Sequence, residues 1–194
     1  MTSFTIIGTG NMAKAIGGVL ADGGSPVSYI AHDQVGATAL SGDVVVLAVP
    51  HPAVAGIVDA YRDHLAGKVV VDITNPVNFE TFDSLVVPAG SSFAAELQAQ
   101  LPASAVVKAF NTNFASTLAT KHVGDQVTTV LVAGDDAAAK AAVVDAVQAG
   151  GLRGIDAGSL TRAGELESIG FLQITLAVAE KVSWTGGFAV VAGE

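Results

Sequence analysis

Phe4-Thr5-Ile6-Ile7-Gly8-Thr9-Gly10-Asn11-Met12-Ala13 is the stretch on which the reading of this chain turns. Its first four residues form a β-rich apolar run, a glycine turn follows, and Met12, Ile16, Val19 and Leu20 then recur at helical spacing. Strand, glycine turn and helix start therefore come in the order of a dinucleotide fingerprint. Gly8 lets the chain turn sharply off the strand, and Gly10 has no Cβ to hold a pyrophosphate away from the backbone. Ala13, in the place of a third glycine, is small enough for the helix to pack close to the sheet. The free amides of residues 10–12 and the positive end of the helix would face the phosphates. Glycine turns also join strands to helices for structural reasons alone, so the weight of the motif comes from its context.

The composition supplies that context. A chain of 194 residues fits one domain, or one domain with a small appendage. Apolar residues make up 51% and charged residues 14%, which implies an α/β sheet covered on both faces. The longest apolar runs are of strand length, short of the roughly 20 residues of a membrane span. The first strand begins within a few residues of the start with no basic leader before it, so a cytoplasmic protein is expected. Zero cysteines exclude disulfides, thiolate catalysis and thiolate metal sites. A net charge of −9 argues against nucleic acid, yet not against a dinucleotide, whose phosphates backbone amides can meet locally.

Outward from the fingerprint, Val27–Ala31 reads as a second strand and Val44–Val49 as the next. About a dozen residues lie between them, the length of a crossover connection alone, so no further strand fits and the adenine-side half is abbreviated. Ala37–Leu40 is expected to form a single helical turn there. Pro50-His51-Pro52 opens a helix with Val54, Ile57, Val58, Tyr61 and Leu65 on one face, closed by Gly67. Lys68–Ile73 is a strand ending in Thr74-Asn75-Pro76, and a looser segment with Phe79, Phe82 and Pro88 leads to a helix from Ser92. Ala105–Ala109 is a strand closing on Phe110-Asn111-Thr112, Thr128–Ala133 another, and Asp135-Asp136 starts an Ala-rich helix to Gln148. Leu152–Asp156 is the last strand. A helix from Thr161 to about Ser183 is apolar on more than one stripe, which predicts burial against something besides its own sheet. The apolar tail from Trp184 to Val191 is not expected to hang free in solvent.

In an open parallel sheet, ligands bind outside the carboxyl ends of the strands. Four such ends carry polar or cyclic residues here: Gly8–Met12, Val49–His51, Thr74–Pro76 and Phe110–Thr112. Each also has a plain reading as turn or cap. His51 sits beside the expected nicotinamide path, while His64 and His122 read as solvated. His32 and Asp33 follow the second strand, where the adenosine ribose belongs. Asp33 lies near the usual place of the acid that binds a 2′-hydroxyl, and no Lys or Arg occurs between Lys14 and Arg62. Charge alone leaves NADP and NAD open. No catalytic side chain is expected, since hydride transfer between flat rings needs alignment and exclusion of water rather than an acid–base pair. No metal-ligating cluster is present in the sequence.

Gly8–Ala13, Ala48-Val49-Pro50, Val71–Pro76, Lys108-Ala109-Phe110-Asn111-Thr112 and Asp156–Leu160 occur in this order. Together they resemble the coenzyme F420-dependent NADP oxidoreductase family, and also the cytosolic domain of membrane metalloreductases. The resemblance implies a Rossmann-type domain over 1–160, doubly wound and mostly parallel, and a C-terminal helix and tail over 161–194 packed on the domain or on a dimer partner. It implies NADP, with NAD as the alternative, lying along the strand ends, and coenzyme F420 or a flavin as a second ring. Carried onto this chain, Gly8, Thr9, Gly10, Asn11 and Met12 would hold the pyrophosphate. Ala31, His32 and Asp33 would meet the adenosine ribose, and Ala48, Val49, Pro50 and His51 would line the second ribose. Thr74, Asn75, Ala109, Phe110 and Asn111 would flank the nicotinamide.

Three features depart from the family pattern. Ala31, His32 and Asp33 stand where basic residues are common, the helix and third strand that would follow are absent, and Gly164 stands where an arginine is expected. The expected activity is hydride transfer between nicotinamide and a deazaflavin, a flavin or a small unsaturated acceptor, by a homodimer without nucleic-acid or membrane partners. The competing readings are a non-catalytic NAD(P)-sensing module and an imine or pyrroline-carboxylate reductase-like enzyme.

Overall fold

The structure is a computed structural model that describes residues 1–191; residues 192–194, the end of the expected C-terminal unit, lie outside the described residues. β1 (Phe4–Ile7) leads into α1 (Asn11–Asp22), β2 (Val27–Ile30) and a 3-10 turn at His32–Gln34. β3 (Val44–Leu47), a 3-10 turn at His51–Ala53, α2 (Val54–Leu65) and β4 (Val69–Asp72) follow. Next come α3 (Phe93–Gln100), β5 (Ala105–Lys108), α4 (Ala115–Thr120) and the two-residue strands β6 (His122–Val123) and β7 (Gln126–Val127). β8 (Thr129–Gly134), α5 (Ala137–Ala149), β9 (Arg153–Gly158), a 3-10 turn at Leu160–Arg162 and α6 (Ala163–Val178) complete the order.

Seven strands form one sheet in the order β2-β1-β3-β4-β5-β8-β9. The first five are mutually parallel, β8 is antiparallel to β5, and β9 is parallel to β8. Strands buried on both faces divide their residues between two cores. Phe4, Ile6, Val44, Val46, Val71 and Val107 meet α1 and α5 on one face. Ile7, Val45, Leu47, Val70 and Val106 meet α2 and α3 on the other. Each large aliphatic side chain so buried contributes roughly 1.5–3 kcal/mol. The sheet is thus α/β, doubly wound and mostly parallel, as the composition and the strand runs imply. β2 stands at the sheet's edge with no strand beyond it among the described residues, which is the abbreviated adenine-side half.

After β1 the chain leaves toward α1 on one face; after β3 it leaves toward α2 on the other. The two connections part between adjacent parallel strands and open a crevice at their carboxyl ends.

The predicted α2 face is buried in full: Val54, Ile57, Val58, Tyr61 and Leu65. The Ser92 hydroxyl caps α3 by accepting from the Ala95 amide at 3.1 Å, and Asp136 caps α5 by accepting from the Ala139 amide at 2.8 Å. Two expectations are corrected. The helical turn between β2 and β3 lies at His32–Gln34 rather than Ala37–Leu40, because the Gln34 side-chain oxygen accepts from the Ala31 amide and closes the turn early. α6 ends at Val178, not near Ser183. There Glu180 takes a left-handed φ of 57°, its amide donates to Ala177 O, and the Lys181 amide donates to Leu176 O. That pair of bonds is a Schellman stop, made without the usual glycine. The tail then folds back: the Trp184 ring packs on Phe114 with centroids 4.9 Å apart, and the Phe188 amide donates to the Gln173 side-chain oxygen at 2.9 Å.

Candidate functional site

The Gly8–Met12 turn lies at the mouth of the crevice. Gly8 has φ 126°, and a Cβ there would collide with the carbonyl oxygen of Ala48 at the end of β3. Glycine is thus required for β1 and β3 to close on each other. Gly10 differs: its backbone is ordinary, and an added Cβ would meet nothing within 4 Å. It faces open space. As the N-cap of α1 it offers no side-chain cap, and the first turn holds no acidic residue. The α3 and α5 N-termini carry their own oxygen caps. The α1 amides alone among these three are left for an outside anion.

Two cavities flank this turn. One, of about 250 Å³, is lined by Gly8, Thr9, Gly10, His32, Ala48, Val49 and Pro50 together with Ile7, Val35, Ala53 and Ile57. The other, of about 480 Å³, is lined by Asn11, Met12, Ile73, Asn75, Phe110 and Asn111. Asn113, Phe114, Ala115, Ser116, Ile174 and Trp184 complete its lining. Twelve of the expected site residues therefore fall around two adjoining cavities. Thr74 and Ala109 are buried, Asp33 is exposed, and these three, with Ala31 and His51, line neither cavity.

The strand ends are braced from behind by a fully buried charge cluster that sequence reasoning left unassigned. The Lys108 ammonium contacts the Asp72 carboxylate at 2.7 Å, the Glu167 carboxylate at 2.9 Å and the Thr74 carbonyl at 2.6 Å, and all three side chains are 0% exposed. Three N–H donors thus meet three oxygens. Glu167 also accepts from the Phe93 and Ala94 amides at the start of α3, and Asp72 from the Thr74 amide. The cluster ties β4, β5, α3 and α6 together immediately below Thr74-Asn75 and Phe110-Asn111. One signal was in the sequence: Asp72 and Lys108 both close otherwise apolar strands, and they are register partners.

Above the cluster, Asn75 and Asn111 interlock. Asn111 Nδ2 donates to Asn75 Oδ1 at 2.9 Å and to Leu166 O at 2.9 Å, and Asn75 Nδ2 donates to Asn111 O at 2.8 Å. Phe110 turns the chain off β5 with φ 62°, a left-handed conformation costing about 1–3 kcal/mol, and its buried ring holds it there. α6 lies so close that a Cβ on Gly170 would collide with Asn75 Oδ1 and sit 2.9 Å from Asn111 O. Gly170→Ala is therefore expected to cost about 1–3 kcal/mol through overpacking and to weaken nucleotide binding. Denaturant unfolding and a binding titration check both.

His51 starts the turn before α2 and meets the Phe93 ring edge-on at 4.3 Å. Burial pushes its imidazole below the ordinary value, with the Asp72 carboxylate opposing that shift and the Lys108 ammonium adding to it. The folded-state value lies under the unfolded one. The stability that neutral His51 contributes is therefore complete above about pH 6.5 and is lost as the pH falls through the folded value. Ring-proton NMR is expected to show a His51 midpoint below that of an exposed histidine. His51→Gln should lose less stability than the parent on acidification through this window.

Gly164, where an arginine was expected, sits at the start of α6, where an added Cβ would come 3.3 Å from Ser91 O. Among the described residues no helix is long and apolar enough to cross a membrane, and no group of histidine and carboxylate side chains is placed to hold a metal ion.

Residues 27–76 match the family of coenzyme F420-dependent NADP oxidoreductases. An F420-dependent NADP reductase from Methanocaldococcus jannaschii is 34% identical over 153 residues, covering 76% of this chain and 68% of that protein. The rat metalloreductase STEAP3 is 39% identical over 108 residues, covering 55% of this chain but only 21% of that longer protein. A solved structure described as a putative F420-dependent NADP reductase from Arthrobacter superposes with a TM-score of 0.82 at 27% identity, covering 99% of this chain and 100% of that one. Solved imine and pyrroline-5-carboxylate reductases share the fold alone, at 13–20% identity.

Proposed function

We propose, from the premise that this chain belongs to the coenzyme F420-dependent NADP oxidoreductase family and is an NADP-dependent oxidoreductase, that it moves a hydride between NADP(H) and a flat acceptor. Deazaflavin, flavin and small unsaturated compounds are the acceptor classes in view. One observation carries the reading: the uncapped glycine turn stands between two cavities at a topological switch point, so an extended ligand crossing that turn would occupy both. The cradle left open at Gly10 fits a diphosphate, since nothing there would have to move.

In this proposal the amides of Gly10, Asn11 and Met12 grip the diphosphate, with Gly8 and Thr9 shaping the turn. Ala31, His32 and Asp33 border the adenosine ribose, and His32, which lines the first cavity, is the group placed to meet a 2′-phosphate. Ala48, Val49, Pro50 and His51 pass along the second ribose. Thr74, Asn75, Ala109, Phe110 and Asn111 position the nicotinamide, braced by the Lys108 cluster. Bound NADPH supplies the hydride. The chain's own part is alignment and exclusion of water, and no side chain is asked to give or take a proton.

The C-terminal unit over 161–194 belongs to the proposal as a dimer element. Apart from Leu166, the buried side of α6 is small or polar, while Leu172 and Val178 are 50% and 48% exposed and Phe171, Ile174 and Leu176 half-buried. A second copy of this chain is the proposed cover, and sedimentation of the purified protein tests it. A cytoplasmic setting follows from the proposed use of a soluble nucleotide pool.

Mixing the protein with NADPH or NADH and each acceptor class, and following loss of the reduced-nicotinamide absorbance, tests the activity. Turnover with NADPH is expected. Tight nucleotide binding with no acceptor reduced would sink the reading and favour a nucleotide-sensing module.

A further inference from the structure

The Lys108 cluster does more than brace the strand ends, because its charges do not cancel. One ammonium faces two carboxylates, and all three side chains are 0% exposed. Every hydrogen bond that the carboxylates accept comes from an N–H group. Asp72 accepts from the Thr74 amide and from Lys108, and Glu167 from the Phe93 and Ala94 amides, with the Lys108 ammonium 2.9 Å away. None of these groups could accept a carboxylic acid proton, so the partners suit two ionised carboxylates and one net negative charge. Amide dipoles at the start of α3 offset part of that charge without cancelling it.

The charge lies where a redox ligand would feel it. Asp72 and Lys108 are the last residues of β4 and β5 and are register partners. Thr74 and Phe110, assigned above to the nicotinamide, follow them by two positions each, a reach of roughly 7 Å along a strand. No lysine, arginine or histidine among the described residues lines the larger cavity to offset the charge. The field also extends to the end of β3. Burial depresses the His51 imidazole, and the charges acting on it most are Asp72, Lys108 and Glu167. Salt screens a buried charge of this kind much less than a surface one.

Resting on the nicotinamide placement of the hydride-transfer reading, we propose that the Asp72–Lys108–Glu167 cluster favours the oxidised, cationic nicotinamide over the neutral reduced one and makes bound NADPH a stronger hydride donor. Glu167 sets the sign: with it the cluster is anionic, and without its charge Lys108 and Asp72 cancel. The balance of the transfer gives the reason. The C4–H bond of the dihydronicotinamide breaks with both its electrons, the flat acceptor takes the hydride, and the ring left behind gains one positive charge. An anionic cluster beside it stabilises that charge as it develops.

The test is calorimetric titration of the full chain with NADP and with NADPH, at low and high ionic strength, read as the ratio of the two dissociation constants. NADP is expected to bind about tenfold more tightly, the size of effect that one partly offset charge has at such a distance. The preference should persist at high salt, whereas one set by the net −9 of the whole chain would fade. Glu167→Gln should bring the two constants within about twofold, chiefly by weakening NADP, and Glu167→Asp, which keeps the charge, should retain the preference. Ring-proton NMR should show the His51 midpoint falling further in Glu167→Gln and not in Glu167→Asp. Equal affinities in the parent, a preference lost at high salt, or an unchanged ratio in Glu167→Gln overturns the inference and leaves the hydride-transfer reading standing. The parent titration decides even where a variant fails to fold. Binding of neither nucleotide overturns the nucleotide assignment and this inference with it.

Discussion

Gly10→Asp is expected to abolish NADPH binding while leaving the ligand-free protein as stable as the original, or slightly more so. The two effects part because of where Gly10 sits. Its φ of −74° and ψ of −174° suit any residue, and a Cβ there meets nothing within 4 Å. Asp is also a preferred N-cap, and relative to glycine it adds a few tenths of a kcal/mol by accepting from a first-turn amide of α1. That same carboxylate would occupy the diphosphate's place and repel it. A like-charge contact of several kcal/mol corresponds to a loss of affinity of at least about 100-fold. Thermal unfolding without ligand and calorimetry with NADPH read the two effects separately. Gly8 offers no such separation, because any side chain there drives β1 away from Ala48 and damages the fold itself.

Lys108→Met carries the largest expected loss of stability. Asp72 and Glu167 would be left as two carboxylates in a site with no solvent, facing each other with their shared cation gone. Breaking a buried ion pair by removing one partner typically costs about 3–5 kcal/mol. The damage should also reach the site: the Thr74 carbonyl loses its donor, and the Thr74-Asn75 turn loses its tether to β5. The midpoint of urea unfolding should fall accordingly, and weakened nucleotide binding should accompany it. Glu167→Gln is expected to cost less, since Lys108 keeps Asp72 and the Thr74 carbonyl. A change below about 1 kcal/mol in Lys108→Met would contradict the bracing role.

What could be read from the sequence follows from how local each signal is. The β1–α1 fingerprint, the α2 stripe and the Ser92 and Asp136 caps each depend on residues within one or two turns of chain, and the structure has all of them. The missing adenine-side strand was legible because a dozen residues cannot hold it. The reversal of β8 was not, since a strand buried on both faces shows the same apolar run whichever way it lies. The end of α6 escaped because Glu180 takes the left-handed turn that composition would assign to glycine. Hardest to see were contacts joining distant segments. Lys108 meets Glu167, a residue far along the chain, and Trp184 reaches the cavity wall by packing on Phe114. Nothing local announces either.

Whether the α1 amides hold a pyridine dinucleotide along the strand ends is read by a calorimetric titration of the unmodified chain with NADPH, NADP, NADH and NAD. One site per chain, filled by NADPH, is expected, with a melting temperature that rises with ligand concentration as binding linkage requires. Absence of heat and of any melting shift with all four nucleotides would contradict it.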